Sequence, residues 1–223
     1  MAEANELYEA GQYAEAAASY QAMVDSGADD GELYYNLGNA YYKSGDLGRA
    51  ILNYRRAQLM LPRDSDVEAN LELARDQTID RLESGGDSFI DTIRHLVVGW
   101  TTLNEAAAIT LGIWALLCML AIAAILWPAK RRWLRYAIIV TVVLLLVGII
   151  SLGIRLSESH DNEAVVVAES VDVNSGPSDD YLTKFTLHSG AEIRVLEQRN
   201  KWARITLPGD LQGWMPSEAM ERL

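Results

Sequence analysis

Two long apolar runs constrain this chain more than any other feature. Residues 106–127 and 136–154 contain no charged side chain, and a short basic segment separates them. As α-helices the runs would each measure roughly 30 Å, the hydrocarbon thickness of a bilayer. A pair of buried core helices is the alternative, but the close spacing of the runs and the tryptophans near their ends favour membrane spans. We therefore predict a multi-domain membrane protein with transmembrane helices at 106–127 and 136–155.

The loop at 128–135 sets the predicted orientation. Its cations are Lys130, Arg131, Arg132 and Arg135. Loops rich in Lys and Arg stay in the cytoplasm during insertion, and simple contact with anionic lipid would place the loop on the same side. We expect a bacterial inner-membrane protein with a cytoplasmic loop and with its N- and C-terminal domains in the periplasm.

The first residues raise a question about export. Met1-Ala2-Glu3-Ala4 has neither the basic nor the apolar region of a signal peptide. Either Met1 replaces a cleaved signal, or the natural start lies upstream, or the topology is inverted. We favour the first, because "AEANELYEAG" is typical of a mature N-terminus.

Charge outside the apolar runs is strongly acidic. Residues 1–100 carry 8 basic and 18 acidic side chains, and residues 156–223 carry 6 and 12. Phosphate contact needs a basic surface, so nucleic acid is excluded as a partner. The single cysteine, Cys118, lies within an apolar run, so no intrachain disulfide is expected.

The N-terminal part has the spacing of a tetratricopeptide repeat, a 34-residue helix–turn–helix unit. The matching positions are Leu37, Gly38, Tyr41, Gly45, Ala50, Tyr54, Ala57 and Pro62. A partial copy precedes them at Leu7, Gly11, Ala16, Tyr20 and Met23, and residues 65–83 have the pattern of a capping helix. We predict repeats with a cap over 1–83. For the linker at 84–105 we predict either a short interfacial helix on the bilayer or a segment packed on the cap.

The C-terminal part, residues 163–223, consists of short β-branched runs bounded by turn residues, which is typical of a small all-β barrel. Alternation predicts that its core holds Val171, Val173, Ile193, Val195, Ala203 and Ile205. The stretch "VDVNSGPS" and the closing "GWMP" resemble a bacterial SH3 domain, which implies an SH3-like barrel.

The order of repeat, two-helix hairpin and SH3-like domain is similar to BatE-type proteins, the repeat proteins of the Bat aerotolerance operon. The resemblance implies partners among Bat-type membrane proteins with von Willebrand A domains, directly or through a MoxR-type AAA ATPase assembly. The lipid bilayer is a further partner, and peptidoglycan is an alternative ligand of the SH3-like domain.

Catalytic and cofactor motifs are not found in the sequence. His95, His160 and His188 lie far apart, and neither a metal-ligand spacing nor a phosphate loop nor a nucleophile motif is present. We expect no enzyme activity, no metal and no cofactor.

Candidate binding residues lie in both soluble parts. On the first helix of the complete repeat, the groove face is predicted to carry Tyr35, Asn36, Asn39, Tyr42 and Lys43. The Asn39 amide suits a peptide backbone and Lys43 suits a carboxylate, although this face is equally interpretable as a solvated helix surface. In the SH3-like part, Trp202 and Trp214 are candidates for a ligand surface, although a core position is the favoured interpretation of Trp214, which follows Gly213 at the close of the barrel.

Small residues suggest how the hairpin packs. Ala108, Gly112 and Ala115 share a face of the first span, and Gly148 with Ser151 offers a counterpart on the second. We expect these faces to meet.

Three functions follow from these features. The favoured one is a membrane-anchored adaptor that gathers partner proteins in a Bat-type assembly. The alternatives are a cell-wall reader that binds peptidoglycan peptides and an enzyme.

Overall fold

The computed structural model describes residues 1–80, 102–157 and 162–223. They fall into two compact units, one formed by Met1–Ser88 with His160–Leu223 and the other by Phe89–Ser159. Residues 84–101 of the predicted linker, with the proposed interfacial helix, lie outside the described residues.

Five helices form the described N-terminal part of the first unit, residues 1–80, as the repeat pattern predicts. They are α1 (Ala2–Glu9), α2 (Tyr13–Asp25), α3 (Gly31–Ser44), α4 (Leu47–Met60) and α5 (Ser65–Arg75). The side chains of Asp30, Asp46 and Asp64 accept hydrogen bonds from backbone N–H groups in the first turns of α3, α4 and α5, which starts these helices. Gly45 ends α3 with a φ of 88°, which glycine adopts without strain.

Close packing of α3 on α4 depends on a glycine. A Cβ built on Gly38 would lie 2.7 Å from Cδ1 of Tyr54, whose side chain is 1% exposed. The small residue and the large aromatic residue at these two positions of the repeat pattern are therefore direct neighbours. This contact gives a physical reason for a glycine at position 38.

Seven strands form one antiparallel sheet in the C-terminal part, in the order β3-β2-β6-β5-β4-β1-β7. They are β1 (Glu163–Val166), β2 (Ser170–Asn174), β3 (Thr183–His188), β4 (Glu192–Arg199), β5 (Trp202–Thr206), β6 (Gln212–Pro216) and β7 (Met220–Arg222). The six residues predicted for its core are all buried, so the alternation was interpreted correctly.

The prediction of a closed barrel is wrong. The outer strands β3 and β7 have one neighbour each in the described sheet, so the sheet stays open. Side chains from the helical part cover both edges instead. Asp80 Oδ2 accepts a 2.5 Å hydrogen bond from the backbone N–H of His188 in β3, and Arg56 Nη2 donates a 2.6 Å bond to the carbonyl of Arg222 in β7. Covering by other elements is a common way to protect sheet edges.

In residues 102–157, the described part of the second unit, lie two apolar helices, α6 (Leu103–Leu126) and α7 (Arg131–Ser157), joined by a 3-10 turn at Pro128–Lys130. Thr102 and Glu105 form a reciprocal capping box at the start of α6. Both helices are long and apolar enough to cross a membrane. In the most apolar stretch of each helix, 0% of the residues of α6 and 11% of those of α7 are buried. The core helices of a soluble protein are mostly buried.

The small-residue face predicted on α6 is exposed and not buried against α7. Ala108, Gly112 and Ala115 are exposed, and nothing lies within 4 Å of a Cβ built on Gly112. Thr110 occupies the contact instead: a Cβ on Gly148 would lie 2.8 Å from its Oγ1. The Thr110 hydroxyl donates to the carbonyl of Ala106, 2.8 Å away, so this polar group can be buried between the helices.

Cysteines at Thr110 and Gly148 should form a disulfide under mild oxidation when Cys118 is replaced by serine. The Cβ built on Gly148 lies 3.5 Å from Cβ of Thr110, within the range of disulfide bonds. The measurement is the mobility shift on non-reducing gels after detergent extraction. The pair Gly112→Cys with Gly148→Cys is the control and should stay reduced. Preferential oxidation of the control pair would show that the helix is rotated to the face that the small residues predicted.

Candidate functional site: the groove of the helical repeats

A groove of about 250 Å³ opens on the repeat part between α1, α3 and α5. Its walls are mainly aromatic and amide side chains: Tyr8, Tyr35, Asn39, Tyr42, Lys43, Tyr54, Asn70 and Leu73. Four of the five predicted groove residues are thus brought together. The fifth, Asn36, is half-buried and does not line the cavity.

Asn39 is the centre of a hydrogen-bond network in the groove floor. Its Oδ1 accepts from the hydroxyl of Tyr54 at 2.7 Å and from Nδ2 of Asn70 at 3.0 Å. Asn70 Nδ2 also donates to the Tyr35 hydroxyl at 2.9 Å. The acceptor half of the Asn39 amide is therefore structural, since it satisfies a buried tyrosine hydroxyl.

The donor half of Asn39 is available to a ligand. Within the described ranges its Nδ2 makes no hydrogen bond, and Lys43, which is exposed, makes no ion pair. Burial holds the pKa of Tyr54 well above its usual range, so the groove floor contains a neutral hydroxyl at physiological pH. The groove thus offers one amide donor and one ammonium group beside a neutral aromatic wall.

Several groove residues were missed by the sequence interpretation. Tyr8, Asn70 and Leu73 come from the neighbouring helices α1 and α5. The 34-residue period could have found them, because they occupy the positions of Tyr42, Asn36 and Asn39 in the adjoining repeats. The 34-residue period does not indicate Gln77. This residue lies in the turn after α5, and its Nε2 donates to the hydroxyl of Tyr42.

The two tryptophans of the sheet lie on the face away from its core. In β6, Gly213 and Met215 are buried while Trp214 between them is half-buried, so Met215 and not Trp214 fills the core. Trp202 in β5 is likewise half-buried beside buried Ala203. The interpretation of Trp214 as a core residue is therefore wrong. The guanidinium carbon of Arg199 lies 5.4 Å from the centre of the Trp214 ring, within cation–π range.

The basic residues of the hairpin lie where the sequence places them, at the turn between α6 and α7. Lys130, Arg132 and Arg135 are exposed, whereas the side chain of Arg131 is outside the described part. His95 and His160 are also outside it. The described residues contain no group of three His, Cys, Asp or Glu side chains that could hold a metal ion.

One comparison with known proteins bears on the groove. Residues 1–75 match the family model of the tetratricopeptide repeat. The match covers α1 to α5 and ends with the last residue of α5, so it includes the whole groove and neither the apolar hairpin nor the sheet. No curated protein matches the chain. The tetratricopeptide repeat match suggests a role in protein–protein interaction.

Proposed function

We propose that the chain is a non-enzymatic, membrane-anchored adaptor that holds partner proteins in the repeat groove. The partners are other Bat-type membrane proteins with von Willebrand A domains, in an assembly with a MoxR-type AAA ATPase. The open sheet is the SH3-like module of this adaptor. The observation that carries the proposal is the groove itself, with an unpaired amide donor and an unpaired ammonium group among its described side chains.

The chemistry of the groove selects an extended acidic peptide. Asn39 Nδ2 would donate to a backbone carbonyl, and Lys43 would pair with a carboxylate of the same segment. Tyr8, Tyr35 and Tyr42 would supply rigid contact area, which is typical of residues that dominate binding.

The variant Asn39→Asp with Lys43→Glu should lower recovery of the Bat-type partners roughly tenfold or more, because two polar contacts worth about 1 kcal/mol each are lost and an acidic segment is repelled. Aspartate at position 39 keeps the oxygen that accepts from Tyr54 and Asn70, so the groove floor stays satisfied. Co-purification from detergent measures the recovery, and the unfolding midpoint checks the fold.

Lys201→Glu is the matched control, since Lys201 is an exposed lysine in the turn between β4 and β5. It should leave partner recovery unchanged. Full recovery with a folded groove variant would remove the groove from the proposal and move the binding role to the sheet or the hairpin.

The proposed location is the bacterial inner membrane, with the basic turn in the cytoplasm and the two termini in the periplasm. Packing of the repeats and the sheet into one unit supports this arrangement. Two modules in contact must occupy one side of a membrane, and two spans between them return the chain to that side. The exposed cations at the turn favour the cytoplasm for the other end of the hairpin.

A cell-wall reader is the second candidate. The outward position of Trp202 and Trp214, beside Arg199, favours it, because half-buried aromatic rings and a cation suit a peptide ligand. Retention of the full chain on isolated murein sacculi, lost in a Trp202→Ala and Trp214→Ala variant, would support this candidate over the adaptor.

A further inference from the structure

A charged interface joins the sheet to the helical repeats. Arg75, the last residue of α5, donates from Nε and Nη2 to Oε1 and Oε2 of Glu192 in β4, at 2.6 and 3.0 Å. Arg55 in α4 lies on the same carboxylate, with Nε 3.1 Å from Oε2, and its Nη2 is 2.6 Å from Glu163. Partial burial acts to lower the pKa of Arg75, but the hydrogen bonds and charge of Glu192, together with the charge of Glu72, outweigh that effect and hold this pKa above its usual value.

Apolar contacts complete this interface. Val165 of β1 is 1% exposed and belongs to the same buried cluster as Ile51, Leu71 and Ala74 of the helices. A Cβ built on Gly48 would lie 2.6 Å from the carbonyl oxygen of Val166, so the backbones of α4 and the sheet approach closely. Such close approach without a side chain indicates a specific contact and not a loose surface encounter.

Helix α5 and the turn after it serve both the groove and the sheet. Asn70 and Leu73 line the groove, and Gln77 donates to the Tyr42 hydroxyl. On the other side, Arg75 binds Glu192, and Asp80 accepts from the backbone of His188. One short segment is therefore held between the ligand cavity and the sheet.

An 11-residue helix is marginal without tertiary partners. In a longer repeat array a following helix would pack on α5 and hold it. Here Glu192 binds Arg75 at the end of α5, and Val165 belongs to the buried cluster that includes Leu71 and Ala74 of this helix.

We propose that the C-terminal sheet is the cap of the repeat array and fixes the third wall of the groove through α5, with Glu192 as the positioning residue. Ligand affinity in the groove then depends on a residue of β4 that does not line it. When partner recovery is measured, this coupling rests on the proposed function. When the hydrogen exchange of α5 is measured, it does not, because the rigidity of α5 is a property of the chain alone.

Glu192→Lys in the full chain tests the proposal by hydrogen exchange in detergent. We expect the amides of α5 to exchange roughly tenfold faster, because the lysine repels Arg55 and Arg75 and local opening of α5 becomes easier. Glu192→Gln, which keeps the shape and removes the charge, should give a smaller increase. Glu197→Lys is the control, since Glu197 lies on the same strand and pairs with Arg199.

Protection of the β4 and β5 amides shows whether the sheet remains folded in each variant. Unchanged exchange of α5 in Glu192→Lys, or equal acceleration in Glu197→Lys, overturns the proposal. If Glu192→Lys fails to fold, Glu192→Gln decides by the same criterion. Faster α5 exchange together with lower partner recovery supports both proposals. If α5 exchanges faster in Glu192→Lys but the wild-type chain recovers no Bat-type partner, the result supports the coupling and contradicts the adaptor.

Discussion

Gly38→Val should lower the free energy of unfolding of the repeat part by about 3 kcal/mol, the upper end of the usual cost of overpacking a core. The first added carbon already lies 2.7 Å from Cδ1 and 2.8 Å from Cε1 of Tyr54, which is buried and hydrogen-bonded to Asn39. The ring cannot move without breaking that bond. For a chain of this size the unfolding midpoint should fall by roughly 6–12 °C, as measured by far-ultraviolet circular dichroism in detergent.

A second substitution tests the cause of this loss. Tyr54→Leu removes the ring that an alanine at position 38 would strike, so Gly38→Ala and Tyr54→Leu should cost less together than the sum of their separate effects. Gly112→Ala is a control in the hairpin, where nothing lies within 4 Å of the added Cβ. Strict additivity of the position 38 and 54 variants would show that the glycine acts through the backbone and not through the ring.

A reporter enzyme that is active only in the periplasm should be active when fused after Leu223 and inactive when inserted at Lys130. The physical reason is the group of cations at the hairpin turn, which resist translocation. The difference should be close to all-or-none, since each fusion point lies on one side of the membrane. A cytoplasm-specific reporter at the same two points should give the opposite pattern.

Charge reversal provides the matched control for this topology. Replacing Lys130, Arg132 and Arg135 by glutamate should lower correct insertion, whereas the same number of changes at Lys184, Arg194 and Arg204 of the sheet should not. An active reporter at Lys130 with an inactive one after Leu223 would show that the orientation is inverted.

Local periodicity explains what could be predicted from the sequence. Gly38 and Tyr54 stand at the spacing of a helix–turn–helix repeat, and Val171 and Val173 alternate in the way that a sheet with one buried face requires. These patterns depend on neighbours within one element or one repeat. They therefore predicted the helices, the sheet core and half of the groove wall.

Contacts between distant segments could not be predicted in the same way. Nothing in the pattern around Arg75 indicates Glu192, because ion pairs leave no periodic signal. The open sheet could not be predicted for the same reason, because its edges are contacted by Asp80 and Arg56, which lie outside the strand pattern. Rotation of α6 is a third case, since a row of small residues shows which face could approach α7 but not that Thr110 packs against Gly148.

The order of synthesis gives the interface between α5 and the sheet a further consequence. Arg75 and Glu192 are 117 positions apart, and both apolar helices are made between them. At ribosomal rates of about 5–20 residues per second, the repeats wait roughly 6–25 s for the strand that completes them. During that interval Arg55, Arg75 and the apolar surface around Ile51 have no sheet to cover them. The nascent repeats thus pass through a stage of biogenesis at which this uncovered surface is open to aggregation or proteolysis.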